Sequence, residues 1–266
     1  MDEAVRRFFT DAPLHERFPG GQGRSVHAGN LVLKPVDEVS KYEWLGDALE
    51  GVDFHGLNVA APVRSLKGMW CEQGWGATRY FDGAFVEGRM ADKLAASTDF
   101  HRAVRSVGKP AAFDAWTSPW TEATRVAWSE RHVPDAAPDR VKAVVSSLQS
   151  RCEPVNLPSQ FVHTDLAGNI LFDGGAPVVI DISPAFRPVA YAHAVLVADS
   201  VAWHREPAAS LALLELPPSL RQQLVLRAVV FRLCVPLFFD AANAAAFYAT
   251  LREFEPVLPF EGIAGV

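Results

Sequence analysis

Residues 161–184 read FVHTDLAGNILFDGGAPVVIDISP: two apolar runs enclose the polar island His163-Thr164-Asp165-Leu166-Ala167-Gly168-Asn169, and Asp181 closes the second run. The β-branched and aromatic residues of 161–172 and 177–182 predict strands. Strands on either side bring distant groups to one point, as preorganised catalysis requires. Asp165, Asn169 and Asp181 are the residue types that phosphoryl transfer uses: a carboxylate beside the acceptor hydroxyl, and an amide with a second carboxylate to hold a divalent ion on the phosphates. The competing reading is a polar turn whose Asp and Asn make only Asx-type hydrogen bonds.

Upstream, residues 18–35 (FPGGQGRSVHAGNLVLKP) predict a glycine-rich loop, a strand, a turn at Ala28-Gly29-Asn30 and a second strand carrying Lys34. Over 37–49, Val39, Tyr42, Leu45 and Leu49 recur at helical spacing, and Gly51 follows as a stop. Further strands are expected over 57–66 and 70–81. Beyond Gly83 the pattern turns helical, over 91–107, 121–131 and 139–151, then over 191–204, 219–233 and 241–254, with Pro236 expected to break or kink the last junction. The fold class expected is α+β in two lobes: a small antiparallel-sheet, nucleotide-binding lobe over 1–83 and a larger, mostly helical lobe for catalysis and substrate over 84–266.

The chain has 266 residues, 49% hydrophobic and 21% charged, which matches a soluble globular protein able to bury a core without metal or disulfide staples. Its net charge of -6 argues against a nucleic-acid partner, which calls for a clustered Lys/Arg surplus. Cys71, Cys152 and Cys234 are widely spaced, form no CxxC pair and read as buried thiols. The start of the chain has no signal-peptide core and no long apolar run follows, so the expectation is a cytoplasmic protein without a membrane partner.

The island His163-Thr164-Asp165-Leu166 and the pair Ile180-Asp181 resemble the catalytic segment of the aminoglycoside phosphotransferase and choline kinase superfamily, HGDLxxxN followed by a hydrophobic strand and IDF or IDW. The resemblance spans roughly residues 20–203 and implies a protein-kinase-like fold, ATP and Mg2+ as cofactors, and an acceptor that is a small hydroxyl-bearing molecule. It implies that Asp165 is the catalytic base and that Asn169 and Asp181 bind the metal, with His163 bracing the loop. In such folds a glycine-rich loop precedes a strand-borne lysine that contacts phosphates and pairs with a helix glutamate. Gly21, Gly23 and Ser25 then fall in the phosphate loop and Lys34 in the lysine slot. Glu43 is the expected partner, with Glu38 and Glu50 as alternatives. Backbone groups near Thr78, Tyr80 and Phe81 would hold adenine, although Tyr80 and Phe81 also read as core strand residues.

Two departures place the chain in a divergent branch, taken to be of actinobacterial type. Asp165 and Asn169 are four positions apart where the family has five, and residues 187–194 lack the acidic residue expected at the next helix start. Bracing of the loop must therefore differ. Arg187, Tyr191, Asp199, Trp203 and His204 are candidate acceptor contacts. The resemblance, with Glu253, Glu255 and Glu261, favours an acceptor with an amine near its hydroxyl. A peptide kinase is disfavoured because only residues 183–188 separate Asp181 from the next helix, and neither GxSxG nor GxxxxGK[ST] occurs. The remaining rival is a weak or inactive pseudokinase-like module that binds nucleotide without turnover.

Overall fold

In the computed structural model, which describes residues 3–17 and 24–258, the N-terminal elements are α1 (Glu3–Arg6), β1 (Leu14–Arg17), β2 (Val26–Ala28), β3 (Leu31–Pro35), α2 (Val39–Leu49), β4 (Asn58–Val59), β5 (Pro62–Val63), β6 (Cys71–Glu72) and β7 (Trp75–Arg79). Then come α3 (Met90–Ala103), α4 (Pro119–Ala127), α5 (Asp139–Gln149), β8 (Gln160–His163), β9 (Ile170–Asp173), β10 (Ala176–Val179), β11 (Pro184–Arg187), α6 (Val189–Trp203), α7 (Pro218–Phe239) and α8 (Ala244–Phe254). Gly21 and Gly23, like Glu261, lie outside the described residues.

The expected hairpin is present. Gly29 takes a φ of 63°, and an added Cβ there would come 2.7 Å from the Ala12 Cβ, so the β2–β3 turn calls for glycine. Six antiparallel strands form the first sheet, in the order β1-β2-β3-β7-β5, with β6 on β7. Helix α2 seats on this sheet through Tyr42, whose hydroxyl donates to the Ala77 carbonyl at 2.8 Å. That seat depends on Gly76, the register partner of Lys34, because a Cβ at 76 would lie 2.4 Å from the Tyr42 ring.

A second sheet orders β4-β10-β9, in which β4 runs parallel to β10 and joins Val59 to Val179. In the last part of α2, Leu45 and Leu49 enter the same buried cluster as Phe231 of α7 and Phe254 of α8. Both features cross the division expected at residue 83. Helix α7 is apolar and long enough to cross a membrane by length and composition, but it packs against α4, α6 and α8 with most of its side chains buried.

Several elements differ from the sequence reading. Residues 183–188 read only as the link from Asp181 to the next helix, yet β11 lies within them. Proline is tolerated as the first residue of a strand, and β11 pairs with β8 from Pro184↔His163 to Arg187↔Gln160. Pro236 lies inside α7 without ending it, since the helix runs on to Phe239; the hydrogen bond lost is the one a 236 N–H would have made to the Arg232 carbonyl. Of the three thiols only Cys234 is fully buried.

The Tyr42–Gly76 contact leaves no room for a methyl. Gly76→Ala is expected to destabilise the protein by about 1–3 kcal/mol through overpacking. A lowered denaturation midpoint at unchanged m-value checks it, and an unchanged midpoint refutes the fit.

Candidate functional site

The loop between β8 and β9 and the turn after β10 meet around one imidazole. His163 is wholly buried, and its Nδ1 accepts from the backbone N–H of Asp165 at 3.1 Å and of Ser183 at 3.4 Å. Those donors assign the proton to Nε2, which donates to the Ile180 carbonyl at 3.1 Å. Burial holds the ring's pKa below its ordinary value, so it is neutral and suited to this mixed pattern. His163 therefore braces the loop, as the sequence implied.

On this support the two carboxylates project into a cleft. Asp181 adopts a φ of 50°, a left-handed conformation sparsely populated outside glycine, and its Oδ1 accepts from Lys34 Nζ at 2.7 Å. The attraction of the Lys34 ammonium is the main cause of the lowered Asp181 pKa. Ser25, Lys34, Asp165 and Asp181 line one cleft of about 370 Å³, together with Lys41 and Glu38. The loop that is one residue short still places Asn169 against Asp165: its Nδ2 donates to the Asp165 carbonyl at 2.6 Å and approaches the Asp165 carboxylate at 3.3 Å.

Among the described residues no three His, Cys, Asp or Glu side chains converge as a metal cage. The oxygen donors to weigh are the Asp181 carboxylate, which lines the cleft, and the amide oxygen of Asn169, whose nitrogen is turned toward Asp165. Both are hard oxygen donors, and so few protein ligands suit an ion such as Mg2+ that keeps water and phosphate oxygens in its shell. The residues present fit such an ion.

Other expected residues sit elsewhere. Among the described residues no ion pair joins Lys34 to Glu43; the inward face of α2 carries Tyr42, Leu45, Gly46 and Leu49, and Lys34 turns to Asp181 instead. Glu50 pairs with Arg64 at 2.6 Å, and Glu38 shares the cleft. Thr78 lies within the sheet between Val32 and Pro62; the Tyr80 N–H is taken by the Asn30 carbonyl and its ring stacks on His27. Phe81 is half-buried just past β7.

The candidate acceptor contacts separate in the same way. Tyr191 is fully buried against Trp128, and Asp199 is buried beneath Arg232, so neither is open to a ligand. Arg187 forms a bidentate pair with Glu130, and Trp203 donates to Glu253 at 2.6 Å. His204 lies beside Phe85, with ring centroids 4.7 Å apart. Sequence reading missed Arg232, whose Nη2 donates to Asp165 Oδ1 at 2.6 Å. The available signal was a lone arginine inside the apolar run AVVFRLCV.

Behind the loop lie two more imidazoles, His101 buried and His193 half-buried. His101 Nε2 accepts from the His163 N–H at 3.0 Å, and the His193 ring lies 5.8 Å from that of His101. Burial lowers the pKa of both, to about 4 for His193. As pH falls below the ordinary value of 6.5, the unfolded chain takes up these protons first, so their stabilisation is lost toward pH 4. Asp199, pushed up to about 6 by burial, has the opposite sign and offsets part of the loss. We expect the stability measured by urea titration to fall from pH 7 to pH 5, by at most about 1.4 kcal/mol per pH unit for each histidine. His193→Gln should flatten that slope, and an unchanged slope would refute the assignment.

No protein family and no curated protein matches the sequence. Solved structures do match. An amicoumacin kinase is 15% identical with a TM-score of 0.60, the alignment covering 93% of this chain and 92% of that one. A thermostable mutant of aminoglycoside phosphotransferase APH(4)-Ia is 14% identical with a TM-score of 0.60, covering 96% of each chain. A choline/ethanolamine kinase family protein from Mesorhizobium loti is 15% identical with a TM-score of 0.53, covering 93% of this chain and 87% of that one. Over nearly its whole length, this chain has the α+β fold of the aminoglycoside phosphotransferases and choline/ethanolamine kinase-type proteins.

Proposed function

We propose that the protein is an ATP-dependent O-phosphotransferase acting on a small hydroxyl-bearing molecule. The observation that carries this reading is the convergence of Lys34, Asp165 and Asp181 on one cleft, with Asn169 held against Asp165. Structures of the same fold support it: the amicoumacin kinase was solved with AMP-PNP and Ca2+, APH(4)-Ia with ADP and hygromycin B, and the spectinomycin phosphotransferase APH(9)-Ia with ADP and spectinomycin.

In this reading the Asp165 carboxylate accepts the proton of the acceptor hydroxyl as its oxygen attacks the terminal phosphorus. Asp181 and the Asn169 amide oxygen would hold Mg2+, which neutralises phosphate charge when bound. Lys34 passes from Asp181 to the phosphates, and Ser25 with the glycine-rich loop covers them. The adenine contact falls to backbone around Phe81, because Thr78 is inside the sheet and the Tyr80 N–H is engaged. Residues 1–83 thus supply most nucleotide contacts, and 84–266 supply catalysis.

For the acceptor, the cleft carboxylates besides Asp165 and Asp181 are Asp37, which is paired with Arg24 at 2.9 Å, and Glu38, with Trp120 in the same lining. Glu253 is turned to Trp203. We therefore assign the recognition of an acceptor amine to the β3–α2 turn. A wider hollow of about 590 Å³, shared by Asp37, Glu38 and Trp120 and edged by Phe239, gives the acceptor room beyond the reacting hydroxyl.

Asp165→Asn is expected to lower phosphoryl transfer by about 10²–10⁴-fold while leaving ATP affinity nearly unchanged. Single-turnover rates against ATP titrations test it, and a variant keeping more than about a tenth of the rate refutes Asp165 as base. Asp181→Ala should abolish the magnesium-dependent part of ATP binding, read as thermal shift against magnesium concentration; superimposable curves for variant and wild type would sink the metal role. A metabolite screen with mass detection of an added phosphoryl group identifies the acceptor.

A further inference from the structure

Arg232 projects from α7 into the core with its side chain only 5% exposed. A guanidinium keeps its charge in a protein and is costly to bury without partners, so its contacts carry information. Nε donates to the two Asp199 oxygens at 2.9 and 3.0 Å, and Nη2 also bonds Asp199. The same Nη2 donates to the Thr164 carbonyl at 3.4 Å and to Asp165 Oδ1 at 2.6 Å. Asp199, on α6, is 1% exposed and closed to the cleft, whereas Asp165 is 38% exposed and lines it. Arg232 therefore bridges one carboxylate that cannot reach a ligand and one that can.

The bridge divides the labour of the Asp165 carboxylate. Oδ1 is held by Arg232, and Oδ2 is the oxygen nearest Asn169, at 3.3 Å from its Nδ2. The terminal torsion of an aspartate is broad, so without a partner on Oδ1 the carboxylate would swing. The helix start after Asp181, residues 187–194, has no acidic side chain to brace the loop. Bracing comes from the interior of α6 and from α7 instead.

We propose that Arg232 is a positioning residue for phosphoryl transfer: it locks the Asp165 carboxylate so that Oδ2 meets the acceptor hydroxyl, and Asp199 anchors the guanidinium and shares its charge. The inference rests on the reading of Asp165 as base. A lysine at 232 keeps the charge but is a point donor that cannot reproduce the fork.

The test compares wild type, Arg232→Lys, Asp199→Asn and Arg232→Ala. Magnesium-dependent ATP turnover is measured with water as acceptor and with a panel of amino-alcohols, sugars and aminocyclitols. Arg232→Lys should lose about 100-fold in kcat, the cost of a misplacement near 1 Å, with KM for ATP within about twofold of wild type. Asp199→Asn should lose about tenfold in the same pattern, because the fork stays paired to Asp165 but loses its charged anchor. Guanidinium chloride at millimolar concentration should restore part of the Arg232→Ala rate. Should that variant fail to melt cooperatively, the other two decide. Wild-type kcat in Arg232→Lys, or a kcat loss matched by an equal rise in KM for ATP, overturns the inference and leaves the phosphotransferase reading standing. A wild-type protein without turnover on water or any panel member overturns both.

Discussion

Everything at the cleft hangs on one neutral imidazole. His163 must accept from two backbone N–H groups and donate to one carbonyl, and a protonated ring could not serve both sides. Its burial guarantees the neutral form, and the β8–β11 ladder guarantees its place. The segments carrying Asp165 and Asp181 are thereby fastened to the same ring. The Thr164 N–H bond to the Ser183 carbonyl at 3.1 Å and the Ile180 N–H bond to the Asn169 carbonyl at 3.0 Å close the same seam. A loop shortened by one residue survives here because its ends are set by this seam rather than by its own length.

Charge at the cleft is arranged in opposed layers. Among the described residues no α2 carboxylate pairs with Lys34, and its ammonium and Asp181 neutralise each other, so any anion drawn to Lys34 must part them. This exchange costs little in the open cleft, where both partners are solvated. Beneath the surface Arg232 lies between Asp165 and Asp199 out of reach of water, and its pairings cannot be exchanged without exposing a bare charge. The outer pair is adjustable and the inner triad is fixed, so the Asp165 carboxylate keeps its place whatever Lys34 does.

The elements that follow period and punctuation were legible in the amino-acid order: the β2–β3 hairpin from Gly29, α2 from its three- and four-residue spacing, and β9 and β10 from their apolar runs. The convergence of Asp165 and Asp181 followed from strands on both sides of a polar island. Partnership was not legible. Whether Lys34 meets Glu43 or Asp181 depends on which face of α2 turns inward, and Gly46 and Gly76 decide that through the bulk of Trp70 and Tyr42. Asp199 read as a ligand contact because a lone acid on a helix resembles a surface group, and only its distant partner Arg232 shows it to be interior. β11 was not legible because it is only four residues long and opens on a proline, which a strand accepts at its first position but not in its interior.

The parallel ladder of β4 with β10 bears on how this molecule can be taken apart. Asn58 and Val59 come from the first third of the chain yet complete a sheet built by the catalytic segment, and Leu45 and Leu49 bury themselves in the helical core. A fragment cut after residue 83 would carry a bare strand edge and two orphaned leucines, and its complement would expose the matching edge of β10. Reassembly of such halves from separate chains would have to restore hydrogen bonds and packing together, so the protein is poorly suited to splitting after residue 83 and better suited to insertion at an exposed turn such as Gly174-Gly175.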